Sequence, residues 1–310
     1  MAYNAVPDPL PPQESGKMVD ITTHRYASPW KRDMAIGFVF FNPAKSKRML
    51  MNYFYTIEKL KLAKIPYYTL ELVYDNHEPE IADAFHVYGR SVMFHKENLC
   101  SILETKIPWY YSKLMFLDAD VIFGNPNWYS EVSTALNTND VVQPFASAVW
   151  LDITYTQATQ ERASVLFMNK EGYFDHKFHP GFAWAFRRKW FRKVGFFEYG
   201  ITGSGDTLSA AAWLGVKFPP SYLKPGLVAA FKEYCEHPRP RMTSTSGTVY
   251  HLWHGTHKNR KYVDRHAILD GIRDVRTIMR PNWYGVWEFS IKGMTEKMSA
   301  YFADRMDDGI

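Results

Sequence analysis

Two carboxylates one residue apart, Asp118 and Asp120, lie between the short apolar runs 114–117 and 121–123. Together they make one continuous, mostly apolar stretch that is bounded by Gly124, Asn125 and Pro126. Such a stretch predicts a single strand buried on both faces. Acids at the end of a buried strand carry a large desolvation cost unless a positive group meets them. A divalent cation that also holds phosphate oxygens is the usual partner. The pair therefore predicts a cation-assisted ligand site, with a solvated surface turn as the alternative.

Two further polar clusters interrupt the otherwise apolar chain. A glycine-rich loop ends at Asp206, and a predicted strand over 248–254 carries His251 and His254. A histidine beside two carboxylates completes an O,O,N set that suits a manganese-like ion. Strand alternation would point the two histidines to opposite faces, so we expect only one of them to bind metal. The alternatives are that Asp206 caps the helix that begins at Thr207 and that the histidines are structural.

The spacing of apolar residues predicts alternating strands and helices, which is typical of a parallel sheet. Strands are predicted over 34–41 and 67–74 and near 140–145, 179–186 and 248–254. Helices are predicted from Ser46 to about Ala63, over most of 81–112, near 128–136, and over 207–214 and 296–306. The fold class expected is α/β, with a mostly parallel central sheet flanked by helices. We predict a proline-rich N-terminal arm (1–33), one α/β domain (34–265) and a helical C-terminal extension (266–310).

Composition narrows the possible protein classes. The chain has 310 residues, 46% of them hydrophobic, and a formal net charge of +5, which suits anionic ligands without indicating a nucleic-acid binder. Its two cysteines have no metal-ligand spacing, which favours a reducing compartment. No membrane span or signal peptide is evident, so we expect a cytoplasmic protein.

Three motifs in order resemble those of metal-dependent nucleotide-sugar glycosyltransferases of the GT-A (Rossmann-like) fold. Leu-Asp-Ala-Asp-Val (117–121) resembles the Asp-x-Asp motif of that family. His-Pro-Gly-Phe-Ala-Trp-Ala-Phe (179–186) followed by Gly-Ser-Gly-Asp (203–206) resembles the segment where galactosyl- and N-acetylgalactosaminyltransferases carry Gly-Gly-Glu-Asp or a relative. The usual acidic pair is reduced here to Gly-Asp, which leaves the stereochemistry of transfer open. His-Leu-Trp-His-Gly (251–255) with its basic continuation resembles the C-terminal metal and phosphate segment, especially in a bacterial, phage and large-DNA-virus group.

The resemblance implies a role for each matching residue. Asp118 would contact the donor ribose or the metal, while Asp120 and His251, or His254 in its place, would bind Mn²⁺ or Mg²⁺. Asp206 would deprotonate the acceptor hydroxyl in an inverting displacement, although related motifs also occur in retaining enzymes. The other donor contacts implied are Phe41, Asn42, Pro43, Arg90, Lys96, Lys258, Arg260 and Lys261. The acceptor and sugar contacts implied are Gly181, Trp184, Gly203, Gly205 and Trp253. The two tryptophans would stack on sugar faces, with a position in the core as the alternative for each.

The function expected is transfer of a sugar from a nucleoside diphosphate, UDP by default, to a glycan or polysaccharide hydroxyl. A second hypothesis keeps the reaction but takes hydroxymethylated bases of phage DNA as acceptor, for which basic segments such as 187–193 would supply salt-sensitive binding. A third is an inactive carbohydrate-binding module. A nucleotidyltransferase is disfavoured because Asn42-Pro-Ala-Lys-Ser46 after the first strand is not a glycine-rich phosphate loop.

Overall fold

The computed structural model describes residues 16–75, 77–168, 178–216, 223–256, 258–261 and 264–309. Its strands are β1 (Met34–Phe41), β2 (Tyr67–Tyr74), β3 (Phe85–Gly89), β4 (Lys113–Leu117), β5 (Val121–Phe123), β6 (Val141–Gln143), β7 (Ser147–Leu151), β8 (Ala158–Ala163), β9 (Ala183–Arg187), β10 (Met242–Ser244), β11 (Thr248–His251), β12 (Met279–Pro281) and β13 (Trp287–Phe289). Its α-helices are α1 (Lys47–Leu62), α2 (Lys96–Lys106), α3 (Trp128–Ala135), α4 (Val165–Met168), α5 (Arg188–Val194), α6 (Gly205–Leu214), α7 (Pro225–Tyr234) and α8 (Met294–Asp304). Short 3₁₀ helices cover Lys258–Arg260, Asp264–Leu269 and Val275–Ile278.

Seven strands form the central sheet, in the order β10-β6-β9-β4-β1-β2-β3. Every neighbouring pair is parallel except the two that β9 makes with β4 and β6. The α/β class with a mostly parallel sheet is therefore confirmed. A second sheet has the order β5-β11-β7-β8, and β12 pairs with β13 in a hairpin. Within the described residues, no helix is long and apolar enough to cross a bilayer.

The sequence pattern located most of the first half of the sheet. The predicted strands 34–41 and 67–74 are β1 and β2, and Ser46 caps α1 by accepting a hydrogen bond from the N–H of Met49. The prediction of a mostly helical 81–112 is wrong over Phe85–Gly89, because this segment is β3 and adds to the edge of the sheet beside β2. Only Lys96–Lys106 of that stretch is an α-helix.

The flanking segments differ in part from expectation. Ile21, in the predicted arm, is buried against the second sheet, whereas residues 1–15 of that arm lie outside the described residues. The predicted helical extension over 266–310 ends in α8 but also contains the β12–β13 hairpin. The boundaries of the three predicted segments remain predictions.

A buried arginine joins α2 to the start of α5. The Arg188 guanidinium donates to the Glu104 carboxylate at 2.5 Å and to the backbone carbonyls of Glu104, Ile107 and Pro108. Arg192 donates to the same Glu104 oxygen at 2.7 Å, but its side chain is 55% exposed. The two arginines thus share one acceptor in different surroundings.

We expect Arg188→Met to destabilise the protein by about 3–5 kcal/mol, because it leaves Glu104 and several carbonyls buried without this donor. Arg192→Met, the matched control, should cost less than about 1 kcal/mol because its pairing is solvent-screened. Urea unfolding of the two variants measures the difference. Equal losses in the free energy of unfolding would show that burial of Arg188 does not determine how much it stabilises the protein.

Candidate functional site

The turn Asp118–Asp120 is where the chain leaves the central sheet for the second sheet. The strand predicted as continuous is therefore two strands, β4 and β5, in different sheets. The N–H of Asp118 donates to the carbonyl of Phe182, just before β9. The carbonyl of Asp120 accepts from the N–H of Leu252, just after β11. These bonds hold the segment before β9 and the segment after β11 against the acidic turn.

Asp120, His251 and His254 form a group that could hold a metal ion, with one ligand atom from each lying within 4.8 Å of the others. Asp120 Oδ2 is 2.7 Å from His254 Nε2 and 3.5 Å from His251 Nε2. Burial opposes the Asp120 charge, but the two histidines outweigh it and lower the pKa of that carboxyl. The other oxygen, Oδ1, is buried and has no hydrogen-bond partner among the described residues.

The expectation that the two histidines point to opposite sides is wrong. β11 ends at His251, so strand alternation does not extend to His254. The chain turns after the strand, and both rings come to lie beside Asp120. The two ring centroids are 5.1 Å apart.

The end of the chain supports the His254 ring. Asp307 Oδ1 lies 3.2 Å from His254 Nδ1 and also accepts from Arg305 at 3.0 Å. A carboxylate on one ring nitrogen orients the imidazole so that the other nitrogen faces a metal. Arg260 Nη2 lies 2.8 Å from His254 Nε2, which adds a cation to the same place.

Lys96 lies between two of the predicted acids. Its Nζ is 2.5 Å from Asp118 Oδ1 and 4.0 Å from Asp206 Oδ2. Burial favours neutral Lys96, but these carboxylates outweigh it and raise the pKa of its ammonium. Burial raises the pKa of Asp118 to about 6, although Lys96 opposes the rise. The structure thus pairs Asp118 with Lys96, whereas Asp120 lies with the histidines.

Asp206 is inside the first turn of α6, and Ser204 occupies the N-cap position. Its Oδ1 accepts from the N–H of Thr207 at 2.7 Å. Its Oδ2 faces Gly181, where a Cβ would lie only 2.5 Å from that oxygen. Glycine at 181 therefore leaves room for the carboxylate.

The glycines of the 203–206 loop make room for the protein's own side chains. A Cβ at Gly203 would lie 2.5 Å from the Arg265 guanidinium, and one at Gly205 would overlap the Glu97 carboxyl group. Both glycines therefore have a packing role, while the acceptor contact expected of them stays a prediction. Burial raises the pKa of Glu97 to about 8, with Lys96 opposing the rise.

Several predicted donor contacts are occupied elsewhere. Asn42 exchanges hydrogen bonds with the backbone of Ser46 at the turn into α1, next to Phe41 and Pro43. Arg90 pairs with Glu288 of β13 at 2.9 Å. Lys261 pairs with Asp304 of α8, while the Lys258 side chain lies outside what the structure describes.

The two predicted sugar-stacking tryptophans also pack within the protein. Trp184 is 1% exposed and meets Trp213 edge-on, so it is a core residue and the prediction for it is wrong. Trp253 is partly buried, with the Arg48 guanidinium 5.3 Å from its ring.

Sequence reasoning missed Glu97, Arg265, His266, Arg305 and Asp307 as parts of this site. His266 Nδ1 lies 2.8 Å from Thr202 Oγ1, and Arg265 donates to Ser204 Oγ, so both hold the glycine-rich loop. None of the five stands in a motif. Only tertiary contacts identify them.

No protein-family model matches the chain, and none of the curated proteins matches it. The chain is similar to the catalytic domain of Drosophila β1,4-galactosyltransferase 7 in complex with xylobiose, at 13% identity over 68% of this chain and 63% of that chain, with a TM-score of 0.36. It is also similar to a complex of the Drosophila enzyme with manganese, UDP-Gal and xylobiose, at 12% identity over 74% of this chain and 73% of that chain, with a TM-score of 0.39. A third similar structure is a putative nucleotide-diphospho-sugar transferase from Desulfovibrio desulfuricans, at 12% identity over 88% of this chain and 97% of that chain, with a TM-score of 0.34. Likeness at this level does not establish an activity.

We expect Gly205→Ala to destabilise the protein by about 1–3 kcal/mol, because the new methyl group overlaps Glu97. Without that overlap, alanine in a helix is favoured over glycine by about 1 kcal/mol. In a Glu97→Ala background the loss should therefore disappear. Denaturant unfolding of both single variants and the double variant tests this, and an undiminished loss in the double variant would rule out Glu97 as the cause.

Proposed function

We propose that the chain is a metal-dependent glycosyltransferase that moves a sugar from a nucleoside-diphosphate sugar, UDP-sugar by default, to a glycan or polysaccharide hydroxyl. The observation that carries the proposal is the Asp120, His251 and His254 group beside the end of β4. Among the described residues, the group offers one carboxylate oxygen and two imidazole nitrogens within 4.8 Å of one another, a set that suits Mn²⁺ or a similar ion. Asp120 Oδ1 is buried and has no hydrogen-bond partner there. An ion held there would stabilise the charge of the leaving diphosphate.

The remaining polar groups fit the two ends of such a reaction. Arg260 lies against the histidines, where its guanidinium would meet diphosphate oxygens. Asp206 Oδ1 accepts from the N–H of Thr207, and we assign Oδ2 to the acceptor hydroxyl. As the acceptor oxygen bonds to the anomeric carbon and the carbon–diphosphate bond breaks, Oδ2 takes the hydroxyl proton. The anionic product is stabilised by the cations.

Lys96 would position the carboxylates of this site. Its ammonium binds Asp118 and lies near Asp206, so it reduces the repulsion between these two acids. We assign Asp118, held by Lys96, to contact with the donor ribose or the metal, the two roles that the resemblance implies. A carbohydrate-binding module without activity would not need this arrangement of buried charges.

The test compares hydrolysis of UDP-, GDP- and dTDP-sugars with Mn²⁺ or EDTA, and Mn²⁺ binding by calorimetry. Asp120→Asn should lose Mn²⁺ binding and at least about 100-fold of the hydrolysis, because it removes a ligand charge. Asp206→Asn should keep Mn²⁺ binding but lose about 100-fold or more of transfer to the acceptor.

The matched control is Asp270→Asn, which alters an exposed carboxylate paired with Lys224. This variant should change neither Mn²⁺ binding nor hydrolysis of the donor. If no donor is hydrolysed and none binds with Mn²⁺, the transferase proposal fails and the binding-module hypothesis replaces it. If one donor is hydrolysed, hydroxymethylated DNA and glycans are compared as acceptors with that donor.

A further inference from the structure

The opposite end of the central sheet carries a cluster of positive charge. Strands β1, β2 and β4 begin there and the antiparallel β9 ends there, since Met34 and Arg187 both pair with Lys113. We call this end the basic edge. Its exposed cations include Lys31, Arg32, Lys61, Lys64, Lys189 and Lys193.

Exposed aromatic side chains lie among these cations. Trp30 precedes β1 and is 101% exposed, and Trp109 and Tyr110 precede β4 and are 85% and 61% exposed. The Trp109 and Tyr110 rings lie side by side, with centroids 6.3 Å apart, and contiguous exposed apolar groups mark interaction surfaces. Tryptophan and tyrosine are the residues that favour the headgroup region of a bilayer.

Two of the acids at this edge, Asp33 and Glu104, are paired with cations. Asp33 accepts from both Lys31 and Lys113 at 2.9 Å. Glu104 is held by Arg188 and Arg192. The lysines after β9 therefore face outward beside acids that are already neutralised.

A shallow cavity of about 420 Å³ opens at the same edge. It is lined by Trp109, Tyr111, Ser112, Arg188, Lys189, Arg192 and Lys193. An aromatic wall with several cations fits one phosphate headgroup. A nucleic-acid strand instead needs a groove that follows its backbone, with free aromatic faces for stacking. Here the cavity is one shallow opening.

From this geometry we propose that the basic edge docks the protein on the surface of an anionic phospholipid membrane. The lysines attract the lipid phosphates, and Trp30 and Trp109 enter the headgroup layer. The candidate site at the other end of β4 then faces away from the membrane. This proposal does not depend on the proposed transferase activity.

The test is sedimentation of the full chain with vesicles of phosphatidylcholine alone or mixed with phosphatidylglycerol. The wild type should bind only the mixed vesicles, and high salt should release it. Each lysine contributes about 1 kcal/mol at an anionic surface, so Lys189→Glu with Lys193→Glu should weaken binding by at least about 30-fold.

Matched controls separate this edge from overall charge. Lys292→Glu with Lys297→Glu makes the same charge change on exposed residues next to and within α8, and should reduce binding far less. Quenching of tryptophan fluorescence by brominated lipid should fall in Trp30→Phe with Trp109→Phe but not in Trp283→Phe, which alters a tryptophan that is 96% exposed elsewhere. Thermal unfolding confirms that each variant is folded.

Three results would overturn the proposal. One is equal binding to both kinds of vesicle or to neither. Another is an equal effect of the two double lysine variants, which would leave only net charge. The third is absence of vesicle binding together with DNA binding that Lys189→Glu and Lys193→Glu abolish, which would make the edge a nucleic-acid surface.

Discussion

The partial burial of three carboxylates at the carboxyl end of β4 is the constraint on which the site depends. Asp118, Asp120 and Asp206 lie close together, and each would be costly without a positive or donating partner. Lys96 meets the first, the two histidines meet the second, and the N–H of Thr207 meets the third. These partners come from distant segments, so the fold must bring them together if the buried acids are to stay charged.

The C-terminal segment completes that arrangement from two sides. Asp307 supports His254, and Asp308 accepts from Ser46 Oγ and from the N–H groups of Lys47 and Arg48 at the start of α1. A carboxylate at a helix N-terminus is favoured by the helix dipole. The C-terminal segment thus links the histidine group to α1.

The two ends of the central sheet have different electrostatic character. At the carboxyl end, acids and cations alternate at short range and enclose a candidate metal group. At the amino end, cations and exposed tryptophans face outward. Five residues of β4 separate them, roughly 17 Å at the rise of a strand. The candidate site and the proposed attachment surface therefore do not overlap on the sheet.

The sequence by itself determined β1, α1 and β2, the acidic turn and the parallel α/β class, because these follow from local periodicity and turn residues. Tertiary structure decided the rest. It ended β11 at His251 so that both histidines reach Asp120, placed Trp184 in the core, and filled the glycine loop with Glu97 and Arg265. Such contacts join residues far apart in the chain, and local patterns carry no information about which distant side chain will occupy a given space.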